Sequence, residues 1–401
     1  MTMMMAYMPG IPGEAGRRVV EPGSLRSPVA LMRAQVTSRA TALGPDGTAW
    51  AEYAANEARF SGTAWRLLIE GQQTNLTANP RGDGAVVAGA QPTGWGTAGS
   101  GVTATVVAIG TLLGLPSVTI RYQAASAPLT ITQFFGPVMA VNATPHVASF
   151  INRLAGGTLT NVPGQNVAIT GDAATGYSLT GAATRQVYFR TLTGTTGRRA
   201  TATFTCTTGQ PVDFTVEWAA PSLTEGATAG TPVLPSVGTP AASTRGADMV
   251  SAPLASLGIT GSCTILWRGM VPQAAPSGND QMLFQLDSGV DTNRFAVLVP
   301  LGSVAVRTRH PASVLSTDNG TMTPGTPFAV GLALDGAGNA AVLHSGGSVQ
   351  TASGVPVGLT TLRLGDNASG TASMFGEVQR LRVLPFALTH PQLEAALAGL
   401  G

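Results

Sequence analysis

Lysine is absent from this chain. All 22 basic residues are arginine, and charged residues make up 10% of the sequence, against about 25% in an average globular domain. Hydroxyls and backbone must therefore cover much of the surface. Such a surface fits a GC-rich genome that writes arginine for lysine, and it fits a protein with faces buried in an assembly; the two are compatible. Cysteine is scarce: Cys206 and Cys263 fall on the apolar side of strand-like alternation and are expected as two buried thiols, which excludes a disulfide framework. The histidines at 146, 310, 344 and 390 form no HxH or HExxH pattern, so no metal is expected. Neither GxSxG nor a phosphate-binding GxxxxGK[ST] loop occurs, and neither a catalytic residue nor a cofactor is expected. Paired carboxylates converge in space rather than in sequence, so a polysaccharide hydrolase stays open as an alternative. No run of ~20 apolar residues suggests a membrane span. The start, "MTMMMAYMPG", lacks a charged segment followed by an apolar stretch, so no secretory signal is expected and synthesis is expected in the cytoplasm. With a net charge of +2, no nucleic-acid footprint covers the whole chain.

What charge there is lies unevenly. Residues 1–40 carry Arg17, Arg18, Arg26, Arg33 and Arg39 against Glu14 and Glu21. Frequent Pro and Gly exclude a long helix there. Residues 1–45 are expected as an extended basic arm that docks on an acidic partner, with 27–42 as a possible short strand. Residues 46–80 are a turn-rich lead-in. From 81 to 220 the pattern is all-β. In "TATFTC" (201–206) Ala202, Phe204 and Cys206 alternate with Thr201, Thr203 and Thr205; in "VDFTVEW" (212–218) Val212, Phe214, Val216 and Trp218 alternate with polar residues. Period two marks half-buried strands, and the "TTGQP" between them marks a hairpin. Residues 221–247, with four prolines and no long apolar run, read as a linker. A second all-β block spans 248–401, with strands expected at 263–268, 281–286, 293–299, 303–308, 328–334, 340–344, 360–365 and 377–384. A short helix closes it, with Thr389 and Gln392 spaced as a capping box. The fold class is all-β: two tandem antiparallel β-sandwich (jelly-roll) domains, an extended N-terminal arm and a short C-terminal helix.

Few motifs suggest a site. In "QLDSGVDTNRF", Asp287, Asp291, Asn293 and Arg294 crowd one inter-strand loop, where oxygen ligands could hold Ca²⁺ or sugar hydroxyls or form a solvated turn. Arg380 and Arg382 fall opposite the inward Leu381 and Val383, where they could bind an acidic saccharide or keep the face wet. The tripeptide "RGD" (81–83) and the N-x-S/T sequons at Asn75, Asn142, Asn319 and Asn367 are expected by chance in so Thr-rich a chain.

The stretches "RATA…PDGTAWAEYAANEARF…RLLIEGQQTNL" and "VEWAAPSLTEGATAGTPVLPS…TRGAD" resemble bacteriophage head-spike and fibre proteins, in which an "LLIE…TNL" phrase leads into a carbohydrate-binding-type jelly roll. Trp218, Leu223, Glu225, Gly226, Thr244, Arg245, Ala247 and Asp248 carry the second match. The block with "LDGAGNAAVLHSGG" and "FGEVQRLRVLPFALTHPQLEAAL" is similar to laminin-G and concanavalin-like sandwiches, and the composition resembles virion proteins of gene transfer agents. The resemblance implies a structural head spike on a phage-like particle. It would be anchored to the capsid through the N-terminal arginines, homo-oligomeric as a trimer or pentamer, and would contact host cell-surface polysaccharide or carry a further fibre, with neither nucleic acid nor membrane as a partner. A tail-fibre or baseplate adhesin and a capsule depolymerase are the alternatives. Leu67 to Ile69 are expected to pack where the chain meets the jelly roll.

Overall fold

The computed structural model describes residues 17–26, 30–32, 38–195, 197–272, 280–310 and 315–400. Their regular elements are β-strands, apart from helix α1 (His390–Ala398) and a 3-10 turn at Ala255–Leu257. Over the described residues the chain divides into two compact units, one from Met1–Met32, Ala64–Gly71 and Asp248–Gly401 and the other from Arg33–Thr63 and Gln72–Ala247. The class is all-β as expected, but the units are interleaved along the chain rather than strictly tandem.

The unit containing Gln72–Ala247 is a jelly-roll sandwich. One sheet runs in the order Thr103–Leu112, Leu115–Ala124, Val212–Glu225, Pro145–Thr158 and Thr184–Thr191. The other runs Ala174–Tyr177, Gly164–Ile169, Arg198–Thr205, Thr130–Met139 and Gly96–Ala98. The period-two residues do what their spacing dictates: Phe204, Cys206, Phe214, Val216 and Trp218 all enter one core. There Trp218 meets Phe135 and Phe150 edge-on with ring centroids 5.1 and 5.2 Å away. The core's polar atoms are chained. The Trp218 indole N–H donates to Tyr122 Oη (3.1 Å), and the Tyr122 hydroxyl donates to Gln133 Oε1 (2.8 Å), so a buried phenol and amide cost little. Pro145–Thr158 bends at two bulges, one between Leu154 and Gly156, just before Gly157. Gly157 has φ 75°, and a Cβ there would stand 2.3 Å from the Asp213 carbonyl oxygen, so only glycine fits.

In the other unit one sheet runs Ser24–Leu25, Arg17–Glu21, Gly376–Leu384, Cys263–Met270, Phe328–Leu334, Asn339–His344 and Gln350–Ser353. The facing sheet runs Leu315–Thr321, Ala305–Arg309, Arg294–Val299, Gln281–Asp287, Thr361–Leu364, Met249–Pro253 and Ala30–Met32. All the strands expected in this block form, with ends shifted by a residue or two. Helix α1 lies on the outer face of the first sheet, where Leu393 and Leu397 join Leu266, Ala329, Ala333 and Leu343. A Cβ on Gly331 would sit 2.8 Å from Leu393 Cδ1, so glycine sets that approach. The Thr389 N–H donates to Gln392 Oε1 (3.0 Å), as the capping spacing suggested.

Three boundaries differ from expectation. Residues 17–25 are not free arm: Arg17–Glu21 pairs antiparallel with Gly376–Leu384, and Val19 and Val20 are buried. That strand had an open edge and two β-branched residues filled it. Ser38–Leu43, also expected in the arm, pairs with Trp50–Tyr53 and Leu234–Pro235 in the jelly-roll unit. The 221–247 linker is likewise woven in. Val212–Glu225 runs into it, and Ser243–Arg245 pairs with Gln73–Asn75. The "RLLIEGQQTNL" phrase divides. Leu67, Leu68 and Ile69 pair with Val378, Glu377 and Gly376 of the unit containing Asp248–Gly401, whereas Gln73–Asn75 belongs to the jelly roll.

Candidate functional site

The anchoring arginines do not converge. Arg17 Nη1 donates to the Ser256 carbonyl (2.6 Å), Arg18 lies 3.9 Å from Glu21, and Arg26 is exposed, all in the unit containing Asp248–Gly401. Arg39 is exposed on a strand of the jelly-roll unit, and Arg33 lies outside the described residues.

The four loop residues do come together, as a brace. The fully buried Asp287 carboxylate accepts from Arg363 Nε (2.8 Å), Gln285 Nε2 (3.0 Å) and the Gly289 N–H (2.7 Å). Asp291 accepts from Arg294 Nη1 (3.0 Å), the Ala368 N–H (2.9 Å) and Ser369 Oγ (2.8 Å). Burial pushes the Asp291 pKa up; the bonds from Gln285, Ser369 and Ala368, with Arg294, outweigh it and hold the pKa low. Asn293 Nδ2 donates to the Val357 carbonyl (3.1 Å). Oxygens already facing guanidinium and N–H donors offer Ca²⁺ no ligand shell. Among the described residues no three His, Cys, Asp or Glu side chains gather as a metal cluster. Arg81 of the RGD tripeptide is also structural: its Nη1 and Nη2 bind Glu52 at 2.8 and 2.6 Å, and its side chain is buried.

The more distinctive surface lies on the jelly roll, on the outer face of the five-stranded sheet. Because Ala200, Ala202 and Phe204 point inward, Arg199, Thr201, Thr203 and Thr205 point out. Thr132 stands opposite Thr203 with hydroxyls 3.4 Å apart, Asn166 flanks Thr203 on the other side, and Thr130 stands opposite Thr205. The neighbours in these rows are small: Ala98, Gly164, Ala174 and Gly176. The result is a shallow platform of hydroxyls and one amide. At its end the Arg199 guanidinium lies 3.6 Å above the centre of the Phe134 ring. Arg199 Nε is buried without an acceptor, and among the described residues the guanidinium has neither hydrogen-bond nor ion-pair partner. Burial lowers its pKa, yet arginine starts so high that it stays charged at neutral pH. A pinned guanidinium lacking an internal acceptor presents its fork to a carboxylate or hydroxyl from outside.

No protein-family model and no curated protein matches this chain. Solved structures share parts of its fold. The CBM40 module of Ruminococcus gnavus IT-sialidase, bound to α2,3-sialyllactose, aligns at 15% identity and TM-score 0.30 over 36% of this chain and 85% of that one. NanB sialidase from Streptococcus pneumoniae aligns at 13% identity and TM-score 0.30 over 36% of this chain and 26% of the enzyme. Trypanosoma rangeli sialidase aligns at 9% identity and TM-score 0.31, again over 26% of the enzyme. At this level of similarity neither ligand nor activity transfers to this chain.

Other concavities carry less chemistry. A cavity of about 330 Å³ in the unit containing Asp248–Gly401 is mostly apolar, lined by Leu254, Ile259, Leu286, Val355 and Cys263. A wider one of about 720 Å³ beside α1 mixes alanines with Asp335, Asn339, Thr351, Thr389 and His390. Its carboxylate, Asp335, is held by its own turn through the Ala337 and Asn339 N–H groups at 2.8 and 3.0 Å. The Arg199 platform was half legible in sequence. Arg199 is in phase with Thr201, Thr203 and Thr205, but nothing in the sequence shows that Thr130–Met139 lies alongside and brings Phe134 under it.

Proposed function

We propose that this is a glycan-binding protein whose contact surface is the outer face of the five-stranded jelly-roll sheet, and that it acts without catalysing a reaction. One observation carries this reading: the Arg199 guanidinium is stacked and fixed on Phe134, has no internal acceptor, and borders rows of hydroxyl and amide groups of the kind that hydrogen-bond sugars. Arg199 would take an acidic or hydroxyl oxygen; Thr132, Thr203 and Asn166 would take ring hydroxyls. Contacts on so shallow a face are weak singly and gain by repetition on one particle. The particle setting is a head spike on a phage-like virion, meeting host polysaccharide. It is supported by the "LLIE…TNL" and "TRGAD" phrases and by a charge-poor surface suited to assembly.

The test is titration of the full-length protein against a panel of acidic and neutral oligosaccharides, repeated with Arg199→Ala. Removing a charge-assisted contact costs about 1.5–3 kcal/mol, roughly 10- to 100-fold in Kd. Wild-type binding that survives Arg199→Ala unchanged would remove the platform from the proposal. Absence of binding to every glycan would remove the function. Particle location is a separate question, answered by electron microscopy of labelled particles.

A further inference from the structure

The unit containing Asp248–Gly401 carries a concentration of positive charge that the platform does not use. In the sheet beside helix α1, Leu381 and Val383 point into the core, so Arg380 and Arg382 point out. Register then gathers more arginines. Arg268 stands directly across from Arg380 on Cys263–Met270, and Arg18 stands directly across from Arg382 on Arg17–Glu21. Directly opposed residues share a face, with Cβ atoms about 5 Å apart. Arg66 joins at the end of the row, where its Nη1 binds Glu377 (3.1 Å). Five arginines thus share the face with two glutamates, Glu377 and Glu21, in a chain of net charge +2.

The cluster is under-neutralised. Arg268 Nε donates to a neutral acceptor, Gln379 Oε1 (2.9 Å), and Arg380 Nη1 to the Leu400 carbonyl (2.6 Å). Arg382 has no partner among the described residues, and the Nε atoms of Arg380 and Arg382 are buried without acceptors. Burial lowers the Arg268 pKa first, and the positive charges of Arg380 and Arg66 lower it further. Like charges therefore crowd here, five guanidiniums against two carboxylates. Cross-strand pairs cost stability when their signs match, which a ligand would offset.

We infer that this arginine row is a binding site for a polyanionic polysaccharide bearing carboxylate or sulfate groups on successive sugars. No aromatic side chain stands between the arginines of the row, and the exposed Trp65 beside Arg66 is a single ring at one end, so successive nucleobases have no continuous stacking platform. One exposed ring at the end of the row does not make the desolvated apolar centre of a protein interface. A flat lattice of guanidiniums, spaced by one strand across and two residues along, suits an extended chain of repeated anions. This site is independent of the jelly-roll platform, and either can fail alone.

The experiment titrates the full-length protein with polygalacturonate, dextran sulfate, neutral dextran and a DNA duplex of matched charge, at low salt and at 0.3 M NaCl. The expected result is binding of the two acidic polysaccharides, none of neutral dextran, and weakening at high salt. Arg382→Gln is expected to lower affinity about fivefold and Arg18→Gln with Arg382→Gln at least tenfold. Arg121→Gln, in the other unit and outside the jelly-roll platform, is expected to leave it unchanged. Thermal melts check that each variant is folded, and Arg18→Gln alone serves if Arg382→Gln is not. Equal binding by the double variant, no binding of either acidic polysaccharide, or tighter binding of the duplex would overturn the inference.

Discussion

At the scale of single residues, the same side-chain type does opposite work in different places. Arg81 and Arg363 are tied into carboxylates and hold loops, whereas Arg199 and Arg382 are positioned yet unpartnered among the described residues. Sequence position does not separate them; the presence of an acid within reach does. Phe134→Ala removes the ring that supports Arg199 while leaving the charge, so glycan affinity is expected to fall, by less than with Arg199→Ala, in the same titration. The thiols behave differently again. Burial pushes the Cys263 pKa up to about 12, while in the unfolded chain it returns to about 8.5. The folded thiol therefore stays protonated where the unfolded one ionises. Its contribution to stability is full below pH ~8.5 and declines as pH rises toward 12. Denaturant unfolding at pH 8 and pH 10 should show this loss, and Cys263→Ala should reduce it. A loss of the same size in Cys263→Ala would show that another group is responsible.

At the scale of elements, period-two alternation found eight of the eleven described strands between residues 248 and 401, missing Met249–Pro253, Leu315–Thr321 and Gln350–Ser353, and it found the hairpin that carries Thr201 and Val212. Alternation sees a face, so Trp218, Phe204 and Cys206 were legible as core. It does not see a partner, and the N-terminal segment shows the consequence. Arg17–Glu21 is too short and too close to Pro22 to stand out, and it becomes a strand only because Gly376–Leu384 offers an edge. The loop carboxylates illustrate the same limit, since Asp287 and Asp291 look available until Arg363 and Ser369 arrive from a distant strand and turn. Deleting residues 1–26 would therefore strip a strand and not a tail. Burying each valine side chain is worth about 1.5–3 kcal/mol, so losing Val19 and Val20 is expected to lower stability by several kcal/mol. A melting temperature unchanged by the deletion would contradict the observed pairing. Gly331→Val is expected to cost about 1–3 kcal/mol by forcing Leu393 and α1 outward.

At the scale of the whole molecule, the chain leaves the unit containing Asp248–Gly401 twice to build the jelly roll. The last excursion is closed at its base, where Glu70 and Asp248 are joined by an Asp248 N–H to Glu70 carbonyl bond and a Glu70 N–H to Asp248 Oδ2 bond, both 2.9 Å. Such an insertion cannot be seen in a sequence read from one end, where it looks like modules in series. The aromatic core around Trp218 belongs to the jelly roll alone. Trp218→Ala is expected to cost about 3–5 kcal/mol, and calorimetry should show one transition falling while another stays. A uniform fall of a single transition would mean the units unfold as one. The central claim is that the jelly roll meets a sugar on the face bearing Arg199. The most direct measurement is a crystal structure of the protein with an acidic oligosaccharide that it binds in solution. A carboxylate or hydroxyl within hydrogen-bonding distance of the Arg199 guanidinium, with the sugar lying along Thr132, Thr203 and Asn166, is the expected result. A sugar bound elsewhere, with Arg199 untouched, would contradict it.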